Sequence, residues 1–334
     1  MNAPETPQST PLPLWFRWAQ LVRLPTVFTV IAQVAAAFLI AAGSSAAALA
    51  AWPRGGLILL AAIAIYWAGM IFNDLWDLAE DRQERPSRPL PSGAIGLSAA
   101  RTAAWGLLLA GIALATLAGV VSGGVSPITF APPVIAAALA LGVLLYNGPL
   151  KPTPLAPLMM GACRLLCFLL GAAPLMIVGT AEFVHPQSWF PVHVWAWAAG
   201  FGAYITGVTT ISRQETQGGR RGDLVVGLLM IVVGAALLAV APQLAPPGIR
   251  WTFAPDGRFT LLIALVTLPV VVRGFRALST PRPELIQQVV RVGIMNLIPF
   301  SAAIAMLAGG LGWALSLFAL ALVAVMTAAR LRVT

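Results

Sequence analysis

Charge is scarce in this 334-residue chain: Lys, Arg, Asp and Glu together make up 9% of it, against a hydrophobic fraction of 59%. Soluble domains carry about a quarter charged residues. A mean hydropathy of +0.88 therefore excludes a soluble globular protein. Only two cysteines are present, Cys163 and Cys167, in an apolar segment with no histidine beside them. Their spacing puts them on one helix face as small packing residues and argues against a metal pair. No acid falls in the middle of an apolar segment, which argues against the buried carboxylate relay of an ion-coupled transporter. The net charge of +9 is scattered between apolar segments without a basic arm, so no nucleic-acid partner is expected. The first 14 residues, MNAPETPQSTPLPL, lack a basic region followed by an apolar stretch. They read as a flexible polar, proline-rich tail and not as a signal peptide.

What the chain does have is apolar length. Segments at roughly 22–43, 56–74, 102–122, 129–147, 156–178, 192–212, 223–241, 259–277, 287–308 and 311–329 each approach the ~20 residues that cross a bilayer. The expected fold is all-α: a polytopic transmembrane bundle of nine to ten helices, forming one domain over residues 15–334. The ninth segment is the weakest, because it carries Arg291 and Pro299. With a cytoplasmic N-terminus, basic residues gather on the cytoplasmic side: Arg17, Arg23, Arg82, Arg85, Arg88, Arg101, Lys151, Arg213, Arg220, Arg221, Arg273, Arg276, Arg282, Arg291, Arg330 and Arg332. Arg54, Arg250 and Arg258 fall opposite, and Arg164 lies within a span. That asymmetry predicts an integral protein of the plasma (inner) membrane with both termini cytoplasmic. The tryptophans, Trp15, Trp18, Trp195 and Trp197 among them, read as interface anchors. His185 and His193 receive no role.

The chain holds 11 acids, and five of them, Asp74, Asp77, Glu80, Asp81 and Glu84, lie in one stretch, NDLWDLAEDRQERPSRPLPSG (73–93). On a helix turning about 100° per residue, Asp77 lies about 60° from Asp74 and Asp81 about 20° from it, so the three carboxylates share a face. Like charges so arranged need a cation. Oxygen donors without His or Cys favour Mg²⁺, with Mn²⁺ as the alternative. Mg²⁺ held by a few carboxylates keeps positions open for phosphate oxygens. Arg82, Arg85 and Arg88 follow and suit phosphate, while Pro86, Pro89 and Pro91 stiffen the loop. The combination points to a diphosphate-bearing lipid with its tail among the helices.

Asn73-Asp74-x-x-Asp77-x-x-x-Asp81, followed by Arg85-x-x-Arg88-Pro-Leu-Pro-Ser-Gly, resembles the first aspartate-rich motif of the UbiA superfamily of intramembrane prenyltransferases. LYNGPLKP (145–152) and GACRLLCFLLGAAP (161–174) look like that family's fourth-helix end and fifth helix, and the likeness covers about residues 15–330. Within the superfamily the chain looks most like the EboC-type branch. The resemblance implies a cavity opening near the cytoplasmic face, where Asn73, Asp74, Asp77 and Asp81 bind Mg²⁺ and an isoprenoid diphosphate. It implies that Arg85, Arg88 and Lys151 face the diphosphate, and that Tyr146 and Asn147 lie near the reaction centre, where Tyr146 either faces a developing carbocation or is structural. Arg164 either points into the cavity toward the diphosphate or snorkels to the surface, and Arg23 faces the same choice.

The departure is in the family's second aspartate cluster. GVTTISRQETQGGRRGD (207–223) puts Val208 where an early Asp is usual, Glu215 in place of a later one, and Gly218 and Gly219 where more acids are common. Arg213, Arg220 and Arg221 are added. They either replace a second metal as partners of the diphosphate or only follow the positive-inside bias. The expected function is a Mg²⁺-dependent prenyltransferase acting on an aromatic or other acceptor. The alternative is a weakened relative that binds or transports a lipid-linked metabolite.

Overall fold

The computed structural model describes residues 13–121, 128–176, 185, 188–217 and 220–331. The proposed tail lies outside the described residues except for Pro13 and Leu14. All regular structure among the described residues is helical. A short α1 (Leu14–Leu21) precedes α2 (Leu24–Ala42), α3 (Ser45–Ala50), α4 (Trp52–Trp76) and α5 (Leu78–Glu84). Then come α6 (Leu97–Val120), α7 (Ala131–Asn147), α8 (Ala156–Ala172), α9 (Val192–Ser212) and α10 (Gln214–Gln217). The chain ends with α11 (Arg221–Val240), α12 (Gly257–Ser279), α13 (Pro283–Met295) and α14 (Leu297–Leu331).

Local chemistry sets the boundaries. Proline occupies the first turn of α2, α4, α7, α8 and α13, where its missing N–H has no partner to lose. Gly43 ends α2 in the left-handed region, at φ 72°. Ser44 and Asp256 cap α3 and α12 through their side-chain oxygens.

Each of the ten apolar segments becomes helix. Among the described residues, seven helical stretches are long and apolar enough to cross a membrane, with Ala131–Asn147 as a shorter apolar helix. The ninth segment is built in two pieces. Its basic, amphipathic part forms α13, and Asn296 separates this from α14. Within α14 the chain also reverses direction. Gly310 has φ 80° and ψ −175°. Ile298 and Ala324 pack together against Ala32, although a straight helix would hold them about 39 Å apart. The halves of α14 therefore run antiparallel. Gly309 O accepts from Ser45 Oγ at one end of the bundle, and Leu331 O accepts from Gln20 Nε2 at the other. The start of α1 and the end of α14 thus share the end of the bundle that carries the acids.

Small residues bring the helices close, as membrane interiors require. At the contact of α9 with α11, a Cβ on Gly234 would lie 2.5 Å from Tyr204 N and 2.7 Å from Gly200 O. At the end opposite the acids, buried Arg54 donates to Val121 O (2.8 Å) and Pro174 O (2.9 Å), carbonyls at the ends of α6 and of the turn after α8. A cation there satisfies orphan carbonyls and the negative ends of two helices. We expect Gly234→Ala to push α9 and α11 apart, lowering stability by about 1–3 kcal/mol. Gly222→Ala, where a Cβ meets nothing within 4 Å, should leave the thermal midpoint in detergent unchanged. Equal midpoints for both variants would refute the close-packing account.

Candidate active site

The acidic stretch begins in the last turn of α4. Asn73 and Asp74 sit on that turn, Asp77 at the α4–α5 junction with φ −82° and ψ 3°, and Asp81 in the middle of α5. Backbone bonds Asp77 N to Asn73 O (3.0 Å) and Asp81 N to Asp77 O (2.8 Å) bridge the junction, so the chain bends without a loss of register. The three carboxylates divide between two cations, with Asn73 Nδ2 bridging Asp74 and Asp77. Asp74 and Asp81 converge on Arg88. Asp77 turns to Lys151. Among the described residues no group of three His, Cys, Asp or Glu side chains gathers to hold a metal.

Asp74 and Asp81 are 5% and 3% exposed, and buried carboxylates persist only with partners. One Arg88 nitrogen, Nη1, donates to both Asp81 oxygens (2.9 and 2.8 Å) and lies 3.9 Å from Asp74 Oδ1. Asp74 Oδ1 also accepts from Arg23 Nη2 (3.3 Å) and Asn73 Nδ2 (3.2 Å). Arg85 Nη1 stands 3.8 Å from Asp81. Lys151 Nζ, from the loop after α7, contacts both Asp77 oxygens and Asn73 Oδ1. The acids are thus enclosed by cations from three separate segments.

The loop after α5 fixes Arg88. Arg88 N bonds Arg85 O, Ser92 N bonds Arg88 O, and Ile95 N bonds Pro89 O. Leu90 and Ile95 are buried beneath. Arg23 has φ 49° and is the only non-glycine residue with positive φ among those described. Left-handed backbone is strained for such a side chain. Here it marks the break between α1 and α2 that aims the guanidinium at Asp74.

A cavity of about 350 Å³ lies inside the bundle, beneath these acids. Arg23, Tyr146 and Asn147 line it, with Val143, Met160 and Cys163 among its apolar walls. Arg164 also lines it and does not snorkel. It donates to Gln33 Oε1 (3.3 Å) and Thr29 Oγ1 (3.1 Å), and its carbonyl accepts from Gln33 Nε2 (2.9 Å). Thr29 and Gln33 lie about 9 and 15 Å along α2 from Arg23, so Arg164 is held deeper than the acids. Both partners are neutral, and no carboxylate pairs with Arg164 among the described residues.

Sequence reasoning did not single out Thr26, Thr29, Gln33 or Tyr66. Thr26 and Tyr66 share a hydroxyl–hydroxyl bond on the cavity wall. The signal was present, since polar residues at 26, 29 and 33 in an apolar span repeat at helical spacing on one face.

Among its described residues, the second cluster region contributes no acid to the cavity wall. Val208, Thr209 and Ser212 line it. Val208 packs against Gly293 of α13, where a Cβ would lie 2.8 Å from Val208 Cγ2. Arg213 Nη1 donates to Thr153 O (2.6 Å), joining this segment to the loop before α8. Buried Gln214 donates to Asp223 and accepts from Arg220 N. Glu215 lies near Arg85; burial raises its carboxyl above the usual carboxylate range, and Arg85 opposes the shift. Gly218 and Gly219 lie outside the described residues.

A carboxyl raised by burial disfavours its ionised form. Its contribution to stability is present below the usual carboxylate range and is lost as pH rises through the elevated value. Glu215→Gln should therefore raise the thermal midpoint at pH 7.5 relative to the unaltered protein, and the gain should disappear near pH 4. A midpoint unchanged at pH 7.5 would show that Glu215 carries no such penalty.

The UbiA prenyltransferase family profile matches residues 29–298. A digeranylgeranylglyceryl phosphate synthase of Methanoculleus marisnigri is 29% identical over 284 residues, 80% of this chain and 86% of that protein. One from Methanoregula boonei is 34% identical over 129 residues, 38% and 40% of the two chains. Among solved structures, a digeranylgeranylglyceryl phosphate synthase superposes with a TM-score of 0.60 at 20% identity, over 89% of this chain and 99% of the other. A UbiA homologue of Archaeoglobus fulgidus, bound to DMAPP and Mg²⁺, gives 0.57 at 16% identity over 91% and 99%. The EboC-type placement has no support among these relatives. With its helical bundle and the family profile spanning most of its length, the chain belongs to the UbiA prenyltransferase family.

Proposed function

We propose that this protein is a Mg²⁺-dependent intramembrane prenyltransferase that moves an isoprenoid chain from its diphosphate to an acceptor bearing an anionic group. The observation that carries this reading is the convergence of Asp74 and Asp81 on one cationic nitrogen above the cavity. These are hard oxygen donors, they are buried, and they meet at a point already taken by positive charge. Such a pair fits Mg²⁺, which is usually held by one or two carboxylates with phosphate oxygens completing its shell. When bound, Mg²⁺ withdraws electron density from the leaving diphosphate.

The remaining roles belong to the chain. Asn73 orients Asp74 and Asp77 through its amide. Arg85, Arg88 and Lys151 stand around the acids and suit the diphosphate oxygens, offsetting charge as the allylic C–O bond breaks. The apolar cavity wall receives the isoprenoid chain and keeps water from the allylic cation. Tyr146 offers that cation a ring face. Arg213, tied to the loop before α8, and Glu215, near Arg85, stand close enough to this cationic rim to take part in diphosphate binding. Arg164, deeper and with neutral partners only, suits the anionic group of the acceptor better than the leaving diphosphate. The relatives, synthases of a glyceryl phosphate lipid, agree with an acid-bearing lipid acceptor and lend an aromatic acceptor no support. We place the acidic face at the cytoplasmic side of the plasma membrane, on the charge asymmetry of the sequence.

The lack of acids on the α9 wall favours a second reading, in which the scaffold binds or carries a lipid diphosphate without turnover. Pyrophosphate release from purified protein in nanodiscs separates the two. Geranylgeranyl diphosphate would be supplied with a polyprenyl glyceryl phosphate or a hydroxylated aromatic as acceptor. We expect release that needs Mg²⁺, proceeds with the glyceryl phosphate, and falls roughly 100-fold or more in Asp74→Ala. Mg²⁺-dependent binding without release would establish the carrier reading instead.

A further inference from the structure

The position of Arg88 has a consequence for the order in which the site fills. Its Nη1 lies between the two oxygens of Asp81, bonded to both, and faces Asp74 Oδ1. A cation chelated by Asp81 and touching Asp74 must take that same point. Two cations at such separation repel strongly in a partly buried site, so the two occupants exclude each other. The guanidinium is 21% exposed, while its backbone is pinned through Arg85 O and Ser92 N, with buried Leu90 two residues on. Leaving Asp81 is thus a side-chain rotation that keeps the positive charge at the cavity mouth.

We propose that Arg88 is an exchangeable counter-ion: it holds the Asp74–Asp81 pair closed to free divalent cations and yields it only when a diphosphate arrives to receive the guanidinium. The substrate species is then the preformed metal–diphosphate complex. A free ion would have to displace Arg88 into solvent with nothing to pair it. A diphosphate brings oxygens that suit the planar fork of the guanidinium. Metal and diphosphate therefore bind with reciprocal coupling, and Arg88 transmits it. Arg23 and Asn73 stay on Asp74, and Arg85 stands 3.8 Å from Asp81 Oδ1. They hold the carboxylates in place during the exchange. This inference rests on the proposed metal–diphosphate chemistry of the site.

The test is Mn²⁺ binding by electron paramagnetic resonance, using the full chain in phosphatidylcholine nanodiscs, with and without inorganic pyrophosphate. Without pyrophosphate, R88Q should bind Mn²⁺ about tenfold more tightly than the unaltered protein, because the competing charge is gone. A residue that merely supported the metal site would weaken binding when removed. Pyrophosphate should tighten Mn²⁺ binding to the unaltered protein and do so much less in R88Q. R88K provides a second variant if R88Q fails to fold. It retains the charge, so it should keep the pyrophosphate gain while binding free Mn²⁺ between the other two. Free Mn²⁺ binding by R88Q or R88K that is no tighter than that of the unaltered protein would overturn the exchange and leave the prenyltransferase reading standing. No Mn²⁺ binding by the unaltered protein, even with pyrophosphate, would overturn both.

Discussion

Two carboxylates buried at the end of an apolar bundle need positive charge beside them, and much of the architecture around Asp74 and Asp81 follows from meeting that need. Arg23 reaches them from a strained left-handed turn, and Arg88 from a proline-stiffened loop pinned by its own backbone bonds and by buried Leu90. Lys151 satisfies Asp77 from a third segment. Removing any one cation would leave a carboxylate short of charge at low dielectric. The three acids divide between two of these cations: Asp74 and Asp81 face Arg88, and Asp77 pairs with Lys151.

Beneath the acids the requirement reverses. The cavity wall is largely apolar, with Arg23, Thr26, Tyr66 and Arg164 on one part of it and Tyr146, Asn147, Thr209 and Ser212 elsewhere. Arg164 is the counterpart of the acid pair: a charge kept inside the bundle by the neutral side chains of Gln33 and Thr29. The rigid frame for both comes from close helix contacts. Gly234 and Gly200 let α9 and α11 meet at backbone distance, and Gly293 lets α13 lie against Val208. The reversal at Gly310 returns the last helix along α2, packing Ala324 beside Ala32.

Much of this was legible in the sequence. Apolar length gave the ten segments, and the clustering of acids marked the end of the bundle where Asp74 and Asp81 are buried together, because both rest on short-range pattern. Less legible was what depends on side chains distant in the chain. The assignment of Arg88 to Asp81 and of Lys151 to Asp77 is a tertiary fact, since 74 residues separate the latter pair. The depth of Arg164 could be read from its place in a span, but its partners Gln33 and Thr29 are over 130 positions away. The two-piece ninth segment was foreshadowed by Arg291 and Pro299, whereas the break itself falls at Asn296, whose side chain bonds Val266 O of α12. The EboC-type branch found no support among the relatives, and a short helical run such as GACRLLCFLLG reports how a helix packs more than what it acts on.

The central claim is that Asp74 and Asp81 form the point at which metal and diphosphate meet. The most direct test is anomalous diffraction from crystals grown with Mn²⁺ and inorganic pyrophosphate. The account predicts a manganese peak within coordination distance of both carboxylates, with the Arg88 guanidinium moved onto the pyrophosphate. A peak at Glu215 or Asp223 instead, or Arg88 still seated on Asp81 beside a bound metal, would contradict it.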